Sequence, residues 1–241
     1  SLWTTTRGIV RHIEGHWQEP DHGIWEIRGT PRHFTHSKMM CWVGLDRAQR
    51  IAHLLGRTDY AVEWARVAEH VRADILRNGY DSTIGSFTQS YGDPSLDAAN
   101  LLMWRMGFIA ADDPRWVSTV RATHANLSQN GLMYRYRNQD DFGIPKSAFT
   151  VCSFWMIQAL ASIGEREIAK SMFEALLKCG NHVGLFSEDL DFTTRRLLGN
   201  FPQAYSHLAL IDAAMLLDGS PVQKLSGYGP FAHPNEPAPV L

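Results

Sequence analysis

Two glutamates in this chain are placed alike. Glu26 closes the run Gly23-Ile24-Trp25-Glu26, and Glu188 closes Gly184-Leu185-Phe186-Ser187-Glu188. Each follows a glycine and an apolar–aromatic pair, and each stands ahead of a long helical pattern. Carboxyl groups at matching places of two repeats can face one cavity and serve as an acid and a base. A carboxyl beside a large ring is partly desolvated, which raises its pKa and keeps it protonated as a general acid. At Glu26 the ring of Trp25 acts in that direction, and Arg28, Arg32 and Lys38 act in the other. Glu188 lies in Ser187-Glu188-Asp189-Leu190-Asp191, a density of acids that equally suits a solvated face or a helix start. An acid and a base that cleave a sugar bond with inversion need roughly 6.5–9.5 Å between them, room for one water.

Other residues could assist. Arg135, in Tyr134-Arg135-Tyr136, could donate forked hydrogen bonds to sugar hydroxyls, or be a surface cation stacked on aromatics. Tyr205 could form part of a sugar platform or pack in the core. His33 and His36 fit no strong metal-ligand spacing, and His12, Glu14 and His16 do not form the signature of a zinc protease. There is no glycine-rich phosphate loop and no serine nucleophile elbow. Neither a metal nor an organic cofactor is expected.

Eight helical patterns position these residues, at about 3–17, 37–55, 58–78, 95–107, 113–128, 147–163, 165–179 and 203–217. Ile51, Leu54, Leu55, Tyr60, Ala61, Trp64, Val67, Val71 and Ile75 recur at the spacing of amphipathic helices. Strand-like alternation is scarce, so the chain reads as all-α. Its connections alternate: short near Gly56-Arg57, 109–112 and Gly164, long at 18–36, 79–94, 129–146 and 180–202. Every long one carries a glycine followed two residues later by an apolar or aromatic side chain: Gly23/Trp25, Gly85/Phe87, Gly131/Met133 and Gly184/Phe186. Such a repeat of long loop, helix, tight turn, helix predicts a toroid of helical hairpins. Helices after long loops would line the inside, helices after short links would form the outer layer, and a pocket would open at the long-loop end.

Composition bounds the function. A formal net charge of −2 without a dense basic tract leaves no electrostatic footprint for nucleic acid. No signal peptide and no run of about 18 apolar residues points to a membrane. Cys41, Cys152 and Cys179 are isolated within apolar patterns, as expected of buried free thiols in a reducing, cytoplasmic setting. The aromatic load, with 8 Trp and 11 Phe, suits a core and also stacking on sugar rings. The segment 221–241, with Pro230, Pro234, Pro237 and Pro239, predicts an extended surface tail after a helical domain at 1–220.

The run PDHGIWEIRGTPRHFTHSKMMCWVGLDRA resembles the acid-bearing segment of glycoside hydrolase family 15, and GLFSEDLDFTTRRLLGNFPQAYSHLALIDAA resembles its base-bearing segment. GLMYRYRNQDD followed by SAFTVCSFWMIQAL is similar to that family's arginine–tyrosine loop and the inner helix after it. The resemblance spans about residues 17 to 217 and has the flavour of the bacterial and archaeal branch, with its glucoamylase-like enzymes and trehalases. It implies an (α/α)6 barrel and hydrolysis of an α-glucosidic bond with inversion. Glu26 would be the general acid and Glu188 the general base, with Trp25, Arg28, Arg135 and Tyr205 binding a small carbohydrate substrate. The first substrate implied is the end of an α-linked glucan or maltooligosaccharide, releasing β-glucose, and trehalose is the alternative. A sugar-binding toroid without turnover is a further reading, and an α/α-barrel epimerase or lyase would favour paired histidines instead. The resemblance also implies about twelve helices where about eight are found. The chain is therefore expected to be a C-terminal part, partnered by the missing N-terminal part of the same enzyme. At Lys146-Ser147 the family often has an acidic residue and glycine.

Overall fold

The structure, a computed structural model, describes residues 2–141 and 143–219, so the tail expected at 221–241 lies outside the described residues. Eight α-helices occur among the described residues: α1 (Leu2–His16), α2 (Thr35–Leu54), α3 (Thr58–Asn78), α4 (Leu102–Arg105), α5 (Pro114–Leu127), α6 (Thr150–Ser162), α7 (Arg166–Leu177) and α8 (Ala204–Leu217). Seven follow the expected pattern within a few residues. The exception is the stretch expected to be helical over 95–107. There Ser95 accepts a hydrogen bond from Gln89 N (2.7 Å). Asp97 is extended and caps a 3-10 turn (Ala98–Leu101), which runs into the four-residue α4.

The alternation of loops sorts the helices into two layers. On the outer helix α3 the buried residues Trp64, Ala68, Val71 and Ile75 form one stripe, and on α7 they are Ala169, Met172 and Leu176. On α6 nearly every residue from Thr150 to Ala161 is buried, as befits a helix enclosed by α5, α7, α8 and the turn before α4. A hollow of about 910 Å3 is lined by residues of α2, α4, α6 and α8, the four helices that follow long loops. None of α1, α3, α5 or α7 contributes to its lining. The inner helix α8 turns Ser206, Ala209 and Ala213 into the core but leaves Tyr205, Leu208 and Ile211 71%, 61% and 52% exposed. That is an apolar stripe without a neighbour among the described residues.

The long loops are ordered by short antiparallel ladders that the all-α expectation did not include. β1 (Tyr80–Asp81) pairs with β2 (Ser86–Phe87), and β3 (Ser128–Gln129) with β4 (Leu132–Met133). The second hairpin turns on Asn130-Gly131, both at positive φ, the Asn-Gly signal of a tight hairpin. β5 (Ala148–Phe149), β6 (Asp189–Leu190) and β7 (Leu197–Leu198) form a three-stranded sheet in that order. All four glycines of the repeat, Gly23, Gly85, Gly131 and Gly184, adopt the left-handed conformation. The repeat is therefore a recurring turn geometry as well as a pattern of letters. Cys41, Cys152 and Cys179 are free thiols; Cys152 and Cys179 are buried, whereas Cys41 is only partly so. Among the described residues no helix is long and apolar enough to cross a membrane.

Candidate active site

Trp25 and Glu26 sit in a loop closed at its neck. Asp21 and Arg32 exchange backbone hydrogen bonds, each at 2.9 Å. The Asp21 carboxylate accepts from Gly23 N (2.6 Å) and Ser37 Oγ (2.7 Å), tying the loop to the start of α2. Gly23 has φ +72°, and a Cβ there would stand 3.0 Å from the buried Phe34 ring, so no other residue fits without displacing it. Glu26 is exposed and itself left-handed, φ 52°, a conformation that a non-glycine residue holds only when its surroundings impose it. The cations expected beside it are engaged elsewhere. Arg28, 83% exposed, pairs with Asp141 (3.9 Å), Arg32 with Asp93 (2.5 Å), and Lys38 donates to the carbonyls of Trp17 and Glu19.

Next to this neck His36 is largely enclosed, and burial drives its pKa from 6.5 down to about 4 against the opposing pull of Asp21. A histidine that resists protonation when folded contributes stability in full above pH 6.5, and that contribution is lost as pH falls toward 4. The loss amounts to about 3 kcal/mol. Urea unfolding of wild type and His36→Asn at pH 7 and pH 4 checks this: the wild type should lose more stability on acidification by about that amount. Equal losses would show that the imidazole is not the acid-sensitive group.

Glu188 stands just ahead of β6, the central strand of the β5–β6–β7 sheet. Its backbone accepts from Thr150 N (2.9 Å) and donates to Asn200 O (2.8 Å). Phe186, 1% exposed, and the fully buried Ser187 anchor the segment from below. Oε2 of Glu188 accepts from Asn200 N (3.1 Å) and Asn200 Nδ2 (2.9 Å), which fixes the carboxylate and leaves Oε1 unclaimed by Asn200. The neighbouring Asp189 is pushed up in pKa by burial, against the hydrogen bond it accepts from Ser147 Oγ (2.6 Å). Ser147 thus holds the strand that carries Glu188.

Glu188, Trp25 and Tyr205 all line the hollow, together with Phe149, Trp155, Gln158 and Gln203. Glu26, Arg28 and Arg135 are not part of its lining. Glu26 follows Trp25 directly. Arg135 stands over the Trp25 ring with its guanidinium carbon 6.0 Å from the centroid, and also over Tyr136 (5.0 Å) and Phe149 (5.9 Å). Arg135 is thus stacked on aromatics, yet it is only 28% exposed and its Nη2 donates to Asp140 (2.9 Å). Its Nε is buried without a hydrogen-bond partner among the described residues, a donor that calls for an oxygen acceptor. Arg28 makes none of these contacts and instead pairs with Asp141, the neighbour of Asp140.

The residues that sequence reasoning missed are the supports: Asp97, which accepts from the Trp25 indole, and Asn200 and Ser147, which hold Glu188 and its strand. An aspartate ahead of an apolar run is an N-cap signal for Asp97. Asn200 and Ser147 carry no such signal.

The family model described as glycosyl hydrolases family 15 matches residues 1–215. A trehalase of Mycolicibacterium smegmatis is 46% identical over 218 residues, covering 89% of this chain and 32% of that protein. A trehalase of Thermoplasma acidophilum is 34% identical over 226 residues, covering 93% and 39%. The chain thus spans about a third of the length of the curated relatives it matches. Among solved structures, a bacterial glucoamylase complexed with acarbose superposes with a TM-score of 0.74 at 16% identity, covering 92% of this chain and 39% of that one. The glucoamylase of Saccharomycopsis fibuligera does so with 0.73 at 12%, covering 90% and 61%. These folds are helical toroids of the kind the alternating loops predict. On the match over 1–215, this chain belongs to glycosyl hydrolases family 15.

Proposed function

We propose that this chain carries the acid and the base of an inverting hydrolase of α-linked glucosides, with trehalose as its substrate. The observation that carries the reading is the convergence of Glu188 and Trp25, from loops at opposite ends of the sequence, on one hollow. Glu26, held in a strained turn directly after Trp25, donates a proton to the glycosidic oxygen. Glu188, oriented through Oε2 by Asn200, takes a proton from a water that attacks the anomeric carbon from the opposite face. The old carbon–oxygen bond breaks as the new one forms, releasing one glucose as the β anomer. Trp25 and Tyr205, which line the hollow, supply stacking to the sugar, and Arg135 over the Trp25 ring helps to hold that platform in place. The resemblance puts glucan ends first and trehalose second; the 46% identity to a trehalase favours the reverse order.

The exposed Leu208 and Ile211 on α8 and the open side of the hollow are read as the seat of further helices, drawn from the part of its relatives' length that this chain does not span. The test is an NMR time course on trehalose, maltose and isomaltose, run with this chain and with a longer gene product containing it. The expected result is faster turnover of trehalose, equal amounts of α- and β-glucose before mutarotation because only one anomeric carbon is inverted, and activity confined to the longer product. Release of α-glucose alone at early times would exclude inversion, equal rates from both products would remove the need for added helices, and sugar binding without turnover would reduce the chain to a binding toroid.

A further inference from the structure

Asp97 is 4% exposed and sits at the head of the 3-10 turn. Trp25 Nε1, far away in sequence, donates to both of its oxygens at 3.0 Å. Ala99 N donates to Oδ1 (2.8 Å) and Gln89 Nε2 to Oδ2 (2.9 Å). All of these partners are N–H donors, the set that suits an ionised carboxylate, which only accepts. Capping a short turn does not require a buried charge, since asparagine or serine caps as well. What the neutral side chains cannot do is accept three N–H groups with two oxygens at once.

The contacts extend beyond the indole. Gln89 Oε1 accepts from Arg32 Nη2 (3.1 Å) and Asn138 Nδ2 (3.1 Å), so the Gln89 amide cannot turn over without breaking both. Arg32 is the residue whose backbone closes the loop neck with Asp21. Asp97 therefore holds the glutamate-bearing loop at two points: directly at Trp25, one residue before Glu26, and through Gln89 at the neck. In the other three repeats the side chain two residues after the glycine (Phe87, Met133, Phe186) is at most 1% exposed and anchored by the core. Trp25 instead lines the hollow and takes its anchor from Asp97.

We propose that Asp97 is a positioning residue for the general acid: by gripping Trp25 Nε1 and, through Gln89 and Arg32, the loop neck, it fixes the left-handed turn that presents Glu26. This rests on the acid role proposed for Glu26. The test is Asp97→Asn in the longest gene product that carries this chain, assayed on trehalose and on α-glucosyl fluoride. The exchange keeps the volume but points an amide donor at the Gln89 amide, which is itself a donor. Fluoride departs without being protonated, so its hydrolysis needs the base and the binding residues but not the acid. The expected result is a fall in kcat/KM on trehalose of about 10-fold or more, the scale of one lost charge-assisted hydrogen bond, with α-glucosyl fluoride changed less than about twofold.

The paired variant Asp97→Asn with Gln89→Glu restores the match of donor to acceptor and should return the ratio of the two rates to that of wild type. It also serves as the measurement if the single variant does not fold. Equal losses on both substrates, no loss on trehalose, or a paired variant whose ratio stays depressed would each overturn the inference while leaving the hydrolase reading intact. A wild-type protein that cleaves neither substrate would remove the hydrolase reading, and this inference with it.

Discussion

Replacing Glu188 by glutamine should lower turnover of trehalose about 1000-fold, the scale of a lost general base. The amide cannot take a proton from water, so the attacking oxygen loses its activation. Its carbonyl can still accept from Asn200 N and Nδ2, which now reach Oε2 at 3.1 and 2.9 Å, so the fold around it should be unaffected. Glu26→Gln should also lose trehalose turnover, and the two variants should part on α-glucosyl fluoride. A substrate that leaves without a proton retains its rate in Glu26→Gln and loses it in Glu188→Gln. Measured rates on both substrates, with melting temperatures as the control for folding, check this. Retention of a tenth of wild-type trehalose turnover by Glu188→Gln would rule out its role as base.

The second large effect is expected at Gly199, a residue that does no chemistry. Gly199 has φ +70°, and a Cβ there would lie 2.9 Å from Glu188 Oε2 and 3.3 Å from its Cβ. Gly199→Ala therefore has to displace the carboxylate that Asn200 holds. A shift of about 1 Å in a reacting group is enough for a loss of about 100-fold in kcat. The alanine also pays a left-handed backbone penalty of about 1 kcal/mol. Gly184→Ala is the matched control: φ is +80° and nothing lies within 4 Å of the added carbon. Both variants should lose similar stability in urea, and only Gly199→Ala should lose turnover. Equal turnover in the two would mean that the carboxylate tolerates displacement.

Much of the architecture was legible in the residues because helical periodicity and loop length are local properties. The apolar stripe Trp64, Ala68, Val71, Ile75 fixes both that α3 is a helix and which face it buries. The alternation of long and short connections separates inner from outer helices, and the lining of the hollow follows that division. The stretch at 95–107 misleads because its apolar residues suit a helix while Asp97 and the Gln89–Ser95 backbone bond hold its start extended. The two-residue strands escape pattern reading because they are too short to alternate.

The sequence by itself determined the number and order of helices, the four recurring loop glycines, and the two glutamates as candidates. Each rests on neighbours along the chain, and for that reason each could be read from letters. Only the tertiary structure decided how the four similar loops differ. Phe87, Met133 and Phe186 enter the core, while Trp25 turns to the hollow because a buried carboxylate far along the chain accepts its indole N–H. Likewise Glu188 is oriented by Asn200 across a strand pairing, and Arg28, though next to the site in sequence, turns to Asp141. Such contacts join residues that no periodicity links. They arise because a buried polar group must find a partner wherever the packed backbone happens to bring one.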